Sequence, residues 1–195
     1  LLKSAKILSK KRKQSSKKLT ETLQEELKEV GIQGGNFHIQ FNDKQISSNG
    51  IDDVSFLFSA NPDEDPKPLT KVASGGELSR IMLVLKEVIA RVEGGSVIIF
   101  DEADSGVGGA IAEAVGQKIR NLSRTYQVIC ITHLPQVAKF ADSHLTVSKT
   151  HEDNQTQVTI KNLEGNERVV ELARMIGGFN ITQKTLDTAQ EMLKH

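Results

Sequence analysis

Two short apolar runs constrain the fold of this chain more than any other feature of its sequence. The runs are SVIIF (96–100) and QVICIT (127–132), which are rich in β-branched residues and too short for buried helices. An amphipathic pattern predicts a helix between them, over about Ala110–Leu122, and a short helix in LPQVAKFA leads to a third strand, SHLTVSK. Strands that alternate with helices predict an α/β fold with a parallel sheet in which the apolar strands are buried.

Alternating and turn-rich segments flank this pattern. Alternation predicts strands in NFHIQF and VSFLFSA, and the proline-rich segment NPDEDPKP (61–68) predicts an extended loop. QTQVTIKNL alternates as an edge strand does. The tail from about Val169 to His195 is predicted to be helical, with a break at Gly177–Gly178.

Residues 1–30 form a highly charged helical pattern that is followed by Gly31. Apolar or small residues recur in it at spacings of three and four, and a helix this polar on its other faces needs a partner. We therefore expect residues 1–30 to be the end of an antiparallel coiled-coil arm and residues 31–195 to form a separate lobe. The basic stretch Lys10–Lys18 is either a solvated helix face or a contact for DNA phosphates.

Composition excludes several classes of protein. The 25 Lys and Arg residues balance 25 Asp and Glu residues, so there is no general basic footprint for nucleic acid and any DNA contact must be local. The one cysteine, Cys130, lies in an apolar run, which excludes a disulfide framework and indicates a buried thiol in a reducing compartment. No apolar run approaches the about 18 residues that span a bilayer. Because the sequence begins at Leu1 and enters a charged helix directly, we expect a piece of a longer protein.

Two carboxylates follow the first apolar strand directly. Asp101 and Glu102 come at the carboxyl end of SVIIF, which is the edge where ligands bind in open α/β sheets. The first acid can hold Mg²⁺, directly or through water, and the next can polarise an attacking water molecule. The alternative interpretation is that two acids end a strand and are simply solvated.

A histidine follows the second apolar strand in the same way. If the two strands are neighbours, His133 reaches the same sheet edge as Asp101 and Glu102, where an imidazole can contact a phosphate and the attacking water. A lone histidine at a strand end is more often structural. Two strand ends that both carry polar groups favour a shared site.

The stretch KVASGGELSR (71–80) places a serine and two glycines where an amphipathic helix begins. Ser74 takes the N-cap position and Glu77 lies three residues later, which is the pattern of a capping box. The cap does not explain Gly75 and Gly76, because glycine costs about 1 kcal/mol in a helix interior. We predict that the backbone N–H groups of this helix start face an anion such as phosphate.

Three stretches together, SGGELSR, VIIFDEADSGVGG and ICITHLPQVAKFADSHLTVSK, closely resemble the C-terminal half of an ABC-type ATPase head. The flanking FSANP and ELARMIGG narrow the resemblance to the SMC-like (structural maintenance of chromosomes) branch, and within it to a bacterial DNA repair protein. The resemblance covers practically the whole chain. It implies a C-terminal head lobe with a parallel sheet, 31–195, joined to the returning helix of a coiled coil.

The resemblance also implies a role for each motif. Asp101 corresponds to the Walker B residue that binds Mg²⁺, Glu102 to the catalytic base and His133 to the switch histidine. The signature motif, which contacts the γ-phosphate of an ATP held by a second head, corresponds to Ser74, Gly75, Gly76 and Glu77. The D-loop at the interface of two heads corresponds to Asp104, Ser105 and Gly106, although DSGVGG departs from the usual ABC pattern.

The sequence contains no G-x-x-x-x-G-K-[ST] phosphate loop. In SMC-like proteins that loop lies in an N-terminal lobe, so the resemblance implies half of a head with little or no ATP hydrolysis by itself. The implied whole is a bacterial ATPase of DNA double-strand-break repair and recombination, cytoplasmic at the nucleoid. Its implied partners are its own N-terminal lobe, a second head in an ATP-dependent homodimer, ATP, Mg²⁺ and DNA.

Two alternatives stay open. One is another SMC-like DNA repair ATPase. The other is an ATP-gated DNA-tethering clamp with little hydrolysis, against which the complete set of Asp101, Glu102 and His133 argues, since such a clamp needs no base.

Overall fold

The computed structural model describes residues 1–61, 63–72, 74–90, 97–152, 155–178 and 180–194. Its helices lie where the periodicity predicts them, within a few residues. They are α1 (Leu2–Glu29), α2 (Gly75–Ile89), α3 (Gly109–Leu122), α4 (Pro135–Ala138), α5 (Asn166–Gly177) and α6 (Gln183–Met192), with a 3₁₀ turn at Leu69–Lys71. The strands are β1 (Asn36–Ser47), β2 (Gly50–Ser59), β3 (Lys67–Pro68), β4 (Val97–Asp101), β5 (Gln127–Ile131), β6 (His144–Glu152) and β7 (Gln155–Leu163).

The two apolar runs pair as parallel neighbours, as predicted. Strands β4 and β5 run in register from Val97 opposite Gln127 to Asp101 opposite Ile131. Helix α3 connects them, so they form a strand–helix–strand unit. The carboxyl ends of both strands therefore lie at one edge of the sheet.

The prediction of a third parallel strand at SHLTVSK is wrong. Strand β6 pairs antiparallel with β7, from His144 opposite Leu163 to Glu152 opposite Gln155, in a sheet of their own. The physical reason is proximity along the chain, because a hairpin between consecutive strands costs little loop-closure entropy. The edge strand predicted at QTQVTIKNL is the second strand of this hairpin.

Burial of the parallel strands on both faces is also wrong within the described residues. Alternate side chains, such as Phe100 and Cys130, pack towards the core on one face. The opposite face is 45–63% exposed at Val97, Ile99, Ile129 and Ile131. In this chain the helices cover only one face of the β4–β5 pair, whereas parallel sheets are usually covered on both.

An antiparallel sheet lies on the other side of the core. Strands β1 and β2, which include the two strands predicted from alternation, pair antiparallel from Asn36 opposite Ser59 to Ser47 opposite Gly50. The proline-rich segment was predicted to be a loop throughout, but its end forms β3, in which Lys67 lies opposite Phe58. Proline fits there because β3 is an edge strand.

One apolar core joins the C-terminal half of α1 to α2, α3, the β1–β2 hairpin and the parallel pair β4–β5. Each fully buried Leu, Val or Phe in it stabilises the fold by about 1.5–3 kcal/mol relative to exposure. A smaller cluster joins α4 to α5 and α6 through Ala138, Leu172, Ala173 and Ala189. The main core includes Leu23, Leu27, Val30, Phe37, Phe58, Ile81, Val84, Phe100, Val115 and Leu122.

The N-terminal half of α1 packs along the β1–β2 hairpin. Ser9 Oγ donates to Asp52 Oδ1 at 2.6 Å, and Arg12 Nη1 donates to Asp52 Oδ2 at 3.3 Å and to the Asn49 carbonyl at 2.9 Å. These bonds occupy the face of α1 that carries its small and apolar residues. A coiled-coil partner, which stays a prediction, therefore finds exposed large apolar side chains on α1 only at Leu2, Ile7 and Leu8.

A buried lysine ties α1 to two other helices. Lys118 on α3 contacts Glu26 and Glu29 on α1, the latter at 3.0 Å, and Glu87 on α2 at 3.3 Å. Burial by itself lowers the pKa of Lys118, but hydrogen bonds to Glu26 and Glu29 and the charge of Glu87 outweigh it and raise this pKa above the ordinary lysine value. Helix α1 is therefore held to the rest of the fold by charge as well as by apolar packing.

No helix within the described parts of the chain has the length and apolarity that crossing a membrane requires.

Candidate functional site

A sharp turn carries the two predicted carboxylates at the end of β4. Asp101 is the last residue of the strand and Glu102 follows it, and both are exposed. Glu102 has φ +56°, and it is the one non-glycine residue with positive φ in the described part of the chain. Side chains other than Asn and Asp rarely adopt this conformation, which costs about 1–3 kcal/mol and is found most often at functional sites. The Ser105 N–H closes the turn by donating to the Glu102 carbonyl at 3.0 Å.

The turn after β5 brings the predicted histidine to the same edge. Because Asp101 lies opposite Ile131, His133 lies two residues beyond the end of the register. Its imidazole is 75% exposed, and Nδ1 lies 3.9 Å from Asp104 Oδ2. The prediction that the acid turn and the histidine share one sheet edge is confirmed.

Asp104 lies inside the fold, although it was grouped with Ser105 and Gly106 as a residue between two heads. It is 1% exposed, and its Oδ2 accepts a hydrogen bond from Thr132 Oγ1. The backbone N–H of Leu134 in turn donates to Thr132 Oγ1 at 3.0 Å. Ser105 is half-buried and Gly106 is exposed, so the surface part of this turn begins at Ser105.

The glycine pair opens α2 beside the acid turn. Ser74 caps the helix, because its Oγ accepts from the Glu77 N–H at 3.3 Å, which is the first of the two bonds of the predicted capping box. Gly75 is exposed, and a Cβ placed on it would meet only Glu102 Oε2, at 3.9 Å. The Glu102 carboxylate is thus next to the N-terminus of α2, where the helix dipole favours a negative charge.

Gly76 packs against the acid turn, and the anion contact expected of its N–H stays a prediction. Gly76 is buried, and a Cβ on it would lie 3.0 Å from Ser105 Cβ and 3.1 Å from the Ser105 carbonyl oxygen. A Cβ at this position would require the acid turn to shift, so glycine lets α2 and the turn approach this closely. Of the pair, Gly75 is exposed and Gly76 is buried.

Two hydrogen bonds hold α2 against the acid turn. Ser79 Oγ donates to the Asp101 carbonyl at 3.0 Å, and Arg80 Nη1 donates to the Ser105 carbonyl at 2.8 Å. Burial lowers the pKa of Arg80 from its ordinary value, and the nearby Glu77 charge opposes that effect. Sequence reasoning missed Ser79 and Arg80. The sequence did contain a clue, because both polar residues lie among the apolar positions of an otherwise amphipathic helix.

The cysteine beneath the site has no role in its chemistry. Cys130 lies on β5, and burial, together with the charges of Asp104 and Asp101, raises the pKa of its thiol to about 12. The thiol is therefore protonated at neutral pH and unreactive. This agrees with the structural thiol that the sequence predicted.

The acid turn fits Mg²⁺ in the presence of phosphates. Within the described residues, no group of three or more His, Cys, Asp or Glu side chains forms a metal cluster. Mg²⁺ commonly binds one or two carboxylates and takes its remaining ligands from water and substrate phosphates. Exposed Asp101 supplies such a single carboxylate, so the donor set suits a magnesium–nucleotide and not an independent metal.

Comparison with known proteins defines the class first. A solved Smc head domain with a coiled coil and joint from Pyrococcus yayanosii aligns with 92% of this chain and 30% of its own, with a TM-score of 0.52 and 19% identity. The chain therefore has the fold of an SMC-type head. No model of a known protein family matches it.

Sequence relatives then define the family. The DNA repair protein RecN of Halalkalibacterium halodurans is 44% identical over 187 residues, covering 93% of this chain and 33% of the relative. RecN of Rickettsia bellii is 46% identical over 189 residues, covering 96% of this chain and 34% of the relative. The chain belongs to the RecN family, and it spans about a third of the length of these curated relatives.

Proposed function

We propose that this chain is the signature and Walker B half of an ATP-hydrolysing head in a RecN-type DNA repair protein. The observation that carries the proposal is the contact between α2 and the acid turn. Through Gly76, Ser79 and Arg80, one rigid unit presents both a helix N-terminus suited to a phosphate and a carboxylate suited to activating water. In such a unit, the helix N-terminus can bind the phosphate of one nucleotide and the carboxylate can take part in hydrolysis of another.

The open sheet supports completion by a second lobe. The two strands β4 and β5 expose apolar side chains on one face, and a parallel pair with one bare face is not a stable arrangement by itself. The relatives are about three times as long as this chain. We infer that an N-terminal lobe of the same protein covers this face and brings the phosphate loop to the acid turn.

The residues divide the chemistry between them. Glu102 accepts the proton of the attacking water, a role that contributes about 10²–10⁴ to the rate. His133 contacts the γ-phosphate and the attacking water from the neighbouring strand end. Asp101 would hold Mg²⁺, which when bound neutralises charge on the phosphates. Ser74, Gly75 and Gly76, with Glu77 behind them, contact the γ-phosphate of an ATP that a second copy of the head carries.

The same proposal assigns the remaining partners. A homodimer of heads forms when two ATP molecules are shared between them, and its assembly and release move the coiled-coil arms. DNA is the substrate on which the assembled protein acts, in the bacterial cytoplasm at the nucleoid. The exposed basic stretch Lys10–Lys18 of α1 supports a local contact with phosphates.

The test compares the full-length protein with this chain. Full-length protein is expected to hydrolyse ATP and to lose hydrolysis on Glu102→Gln while still dimerising with ATP. The 195-residue chain is expected to hydrolyse little or none, and addition of the separately produced N-terminal lobe is expected to restore nucleotide binding.

Two results would contradict the proposal. Appreciable turnover by the chain alone that disappears in Glu102→Gln would mean that the site is complete without another lobe. ATP-dependent dimerisation of the full-length protein without phosphate release would favour a non-hydrolysing clamp.

A further inference from the structure

A buried carboxylate next to the site has no role in the proposed chemistry so far. Asp104 is 1% exposed, and burying a charged group costs several kcal/mol (about 2–7 even for a neutral polar group) unless its environment compensates. A residue whose only function was to contact a second head would lie at the surface. The position of Asp104 therefore calls for an internal function.

The described contacts of the Asp104 carboxylate belong to the turn that carries the histidine. Thr132 Oγ1 donates to Asp104 Oδ2 and accepts from the Leu134 N–H, so residues on both sides of His133 are tied to this carboxylate. The His133 Nδ1 atom lies 3.9 Å from the same Oδ2 atom. That distance is longer than a hydrogen bond, but the imidazole is largely exposed and a small rotation closes it.

The geometry also defines which ring nitrogen faces outwards. Because Nδ1 is the ring nitrogen that lies near the buried Asp104 carboxylate and the imidazole is largely exposed, Nε2 is the nitrogen left to contact a ligand. In histidines generally, the group that bonds one ring nitrogen decides which nitrogen carries the proton and how the ring is oriented. A carboxylate beside Nδ1 favours the tautomer with its proton on that nitrogen.

We propose that Asp104 is a positioning residue that acts through His133, holding Nδ1 protonated and the ring oriented so that Nε2, which then carries no proton, accepts a hydrogen bond from the attacking water. Thr132 completes the arrangement by fixing Asp104 relative to the turn. This inference rests on the proposed function, since it assigns Asp104 to the ATPase site within one head. Asp104 thereby connects the acid turn after β4 to the histidine turn after β5.

A double-mutant cycle in the full-length protein tests this mechanism. Asp104→Asn keeps an acceptor for the Thr132 hydroxyl but removes the charge, and it is expected to lower kcat by about 10–100-fold with little change in KM. In a His133→Ala background, Asp104→Asn is expected to change kcat by less than about twofold, because the group through which it acts is gone. An equal loss of kcat in both backgrounds, or no loss in either, overturns the proposal.

The hydroxyl of Thr132 provides the matched control. Thr132→Ser retains the hydroxyl and is expected to keep kcat, whereas Thr132→Val removes it and is expected to lower kcat only when His133 is present. If Asp104→Asn does not fold, the Thr132→Val cycle decides the same question. Loss of kcat in Thr132→Val that persists without His133 counts against the proposal.

A spectroscopic measurement separates this inference from the proposed function. The 195-residue chain contains five histidines, so the ¹⁵N signals of His133 can be assigned by comparison with His133→Ala. We expect His133 to carry its proton on Nδ1 in the neutral form and to shift towards Nε2 in Asp104→Asn. An unchanged tautomer overturns the inference even if the protein is an ATPase, whereas absence of hydrolysis with the expected shift counts against the proposed function alone.

Discussion

The Arg80 guanidinium donates a hydrogen bond to the backbone carbonyl of Ser105 at 2.8 Å, and this bond joins helix α2 to the turn that carries Asp101 and Glu102. Gly76 favours the contact, because a Cβ at this position would require the acid turn to shift. Under the proposed function, the two surfaces serve two different nucleotides in a pair of heads. The packing of α2 against the acid turn then connects the two nucleotide sites of one head directly.

Replacing Arg80 tests the energetic contribution of that bond. Arg80→Ala is expected to lower the free energy of unfolding by about 1.5–3 kcal/mol, which is typical of a hydrogen bond to a charged group. Urea denaturation of the chain measures the change. Arg124→Ala, at an exposed position of the same residue type, is the control and is expected to change the free energy by less than about 0.5 kcal/mol. Equal effects of the two substitutions would show that the Ser105 bond contributes nothing.

The glycine pair offers a comparison between adjacent positions. Gly76→Ala is expected to destabilise the chain, because overpacking against Ser105 costs about 1–3 kcal/mol and outweighs the gain in helix propensity of up to about 1 kcal/mol. Gly75→Ala is expected to leave the melting temperature unchanged or slightly raised. In the full-length protein Gly75→Ala is nevertheless expected to weaken ATP-dependent dimerisation, since the methyl group lies where the phosphate approaches. A lower melting temperature in Gly75→Ala than in Gly76→Ala would contradict this assignment.

The left-handed backbone conformation of Glu102 predicts that one substitution there raises the stability of the chain and abolishes hydrolysis. Glu102→Gly removes the strain of φ +56° and is expected to raise the free energy of unfolding by about 1 kcal/mol. Glu102→Gln keeps the strained conformation and is expected to leave stability nearly unchanged. Both are expected to abolish hydrolysis in the full-length protein. Thermal unfolding combined with phosphate release measures the two effects, and equal melting temperatures for the two variants would argue against stored strain.

The lysine cluster between α1, α2 and α3 predicts a dependence on alkaline pH. The pKa of Lys118 is raised in the folded state, so its contribution is complete below the ordinary value of 10.5 and is lost as pH rises through the raised pKa. Lys118→Met is expected to lower the free energy of unfolding by about 1–3 kcal/mol at pH 8, because it leaves Glu26, Glu29 and Glu87 without their shared partner.

The difference between wild type and Lys118→Met is expected to shrink above pH 10.5, as followed by urea denaturation across the pH range. Lys184→Met, at an exposed position on α6, is the control and is expected to show no such trend. A difference that stays constant through this range would mean that packing of the aliphatic stem, and not the charge, accounts for the effect.

Much of the architecture followed from the sequence because local patterns determine it. The helices and most strands have periodicities that only one secondary structure satisfies, and the cap at Ser74 depends on residues three positions apart. The parallel pairing of β4 and β5 followed from two apolar runs joined by a helix. That pairing was enough to bring Asp101 and His133 to one edge.

The tertiary structure alone decided what each polar residue does at that edge. Ser79, Arg80 and Thr132 meet their partners across 22 to 28 positions of sequence, and nothing in a local pattern distinguishes a polar side chain that finds such a partner from one that is solvated. The same limit explains why the burial of Asp104 and the close approach of Gly76 to Ser105 did not follow from the sequence. Periodicity determines which face of an element is apolar, but the identity of the neighbour across that face depends on how the whole chain packs.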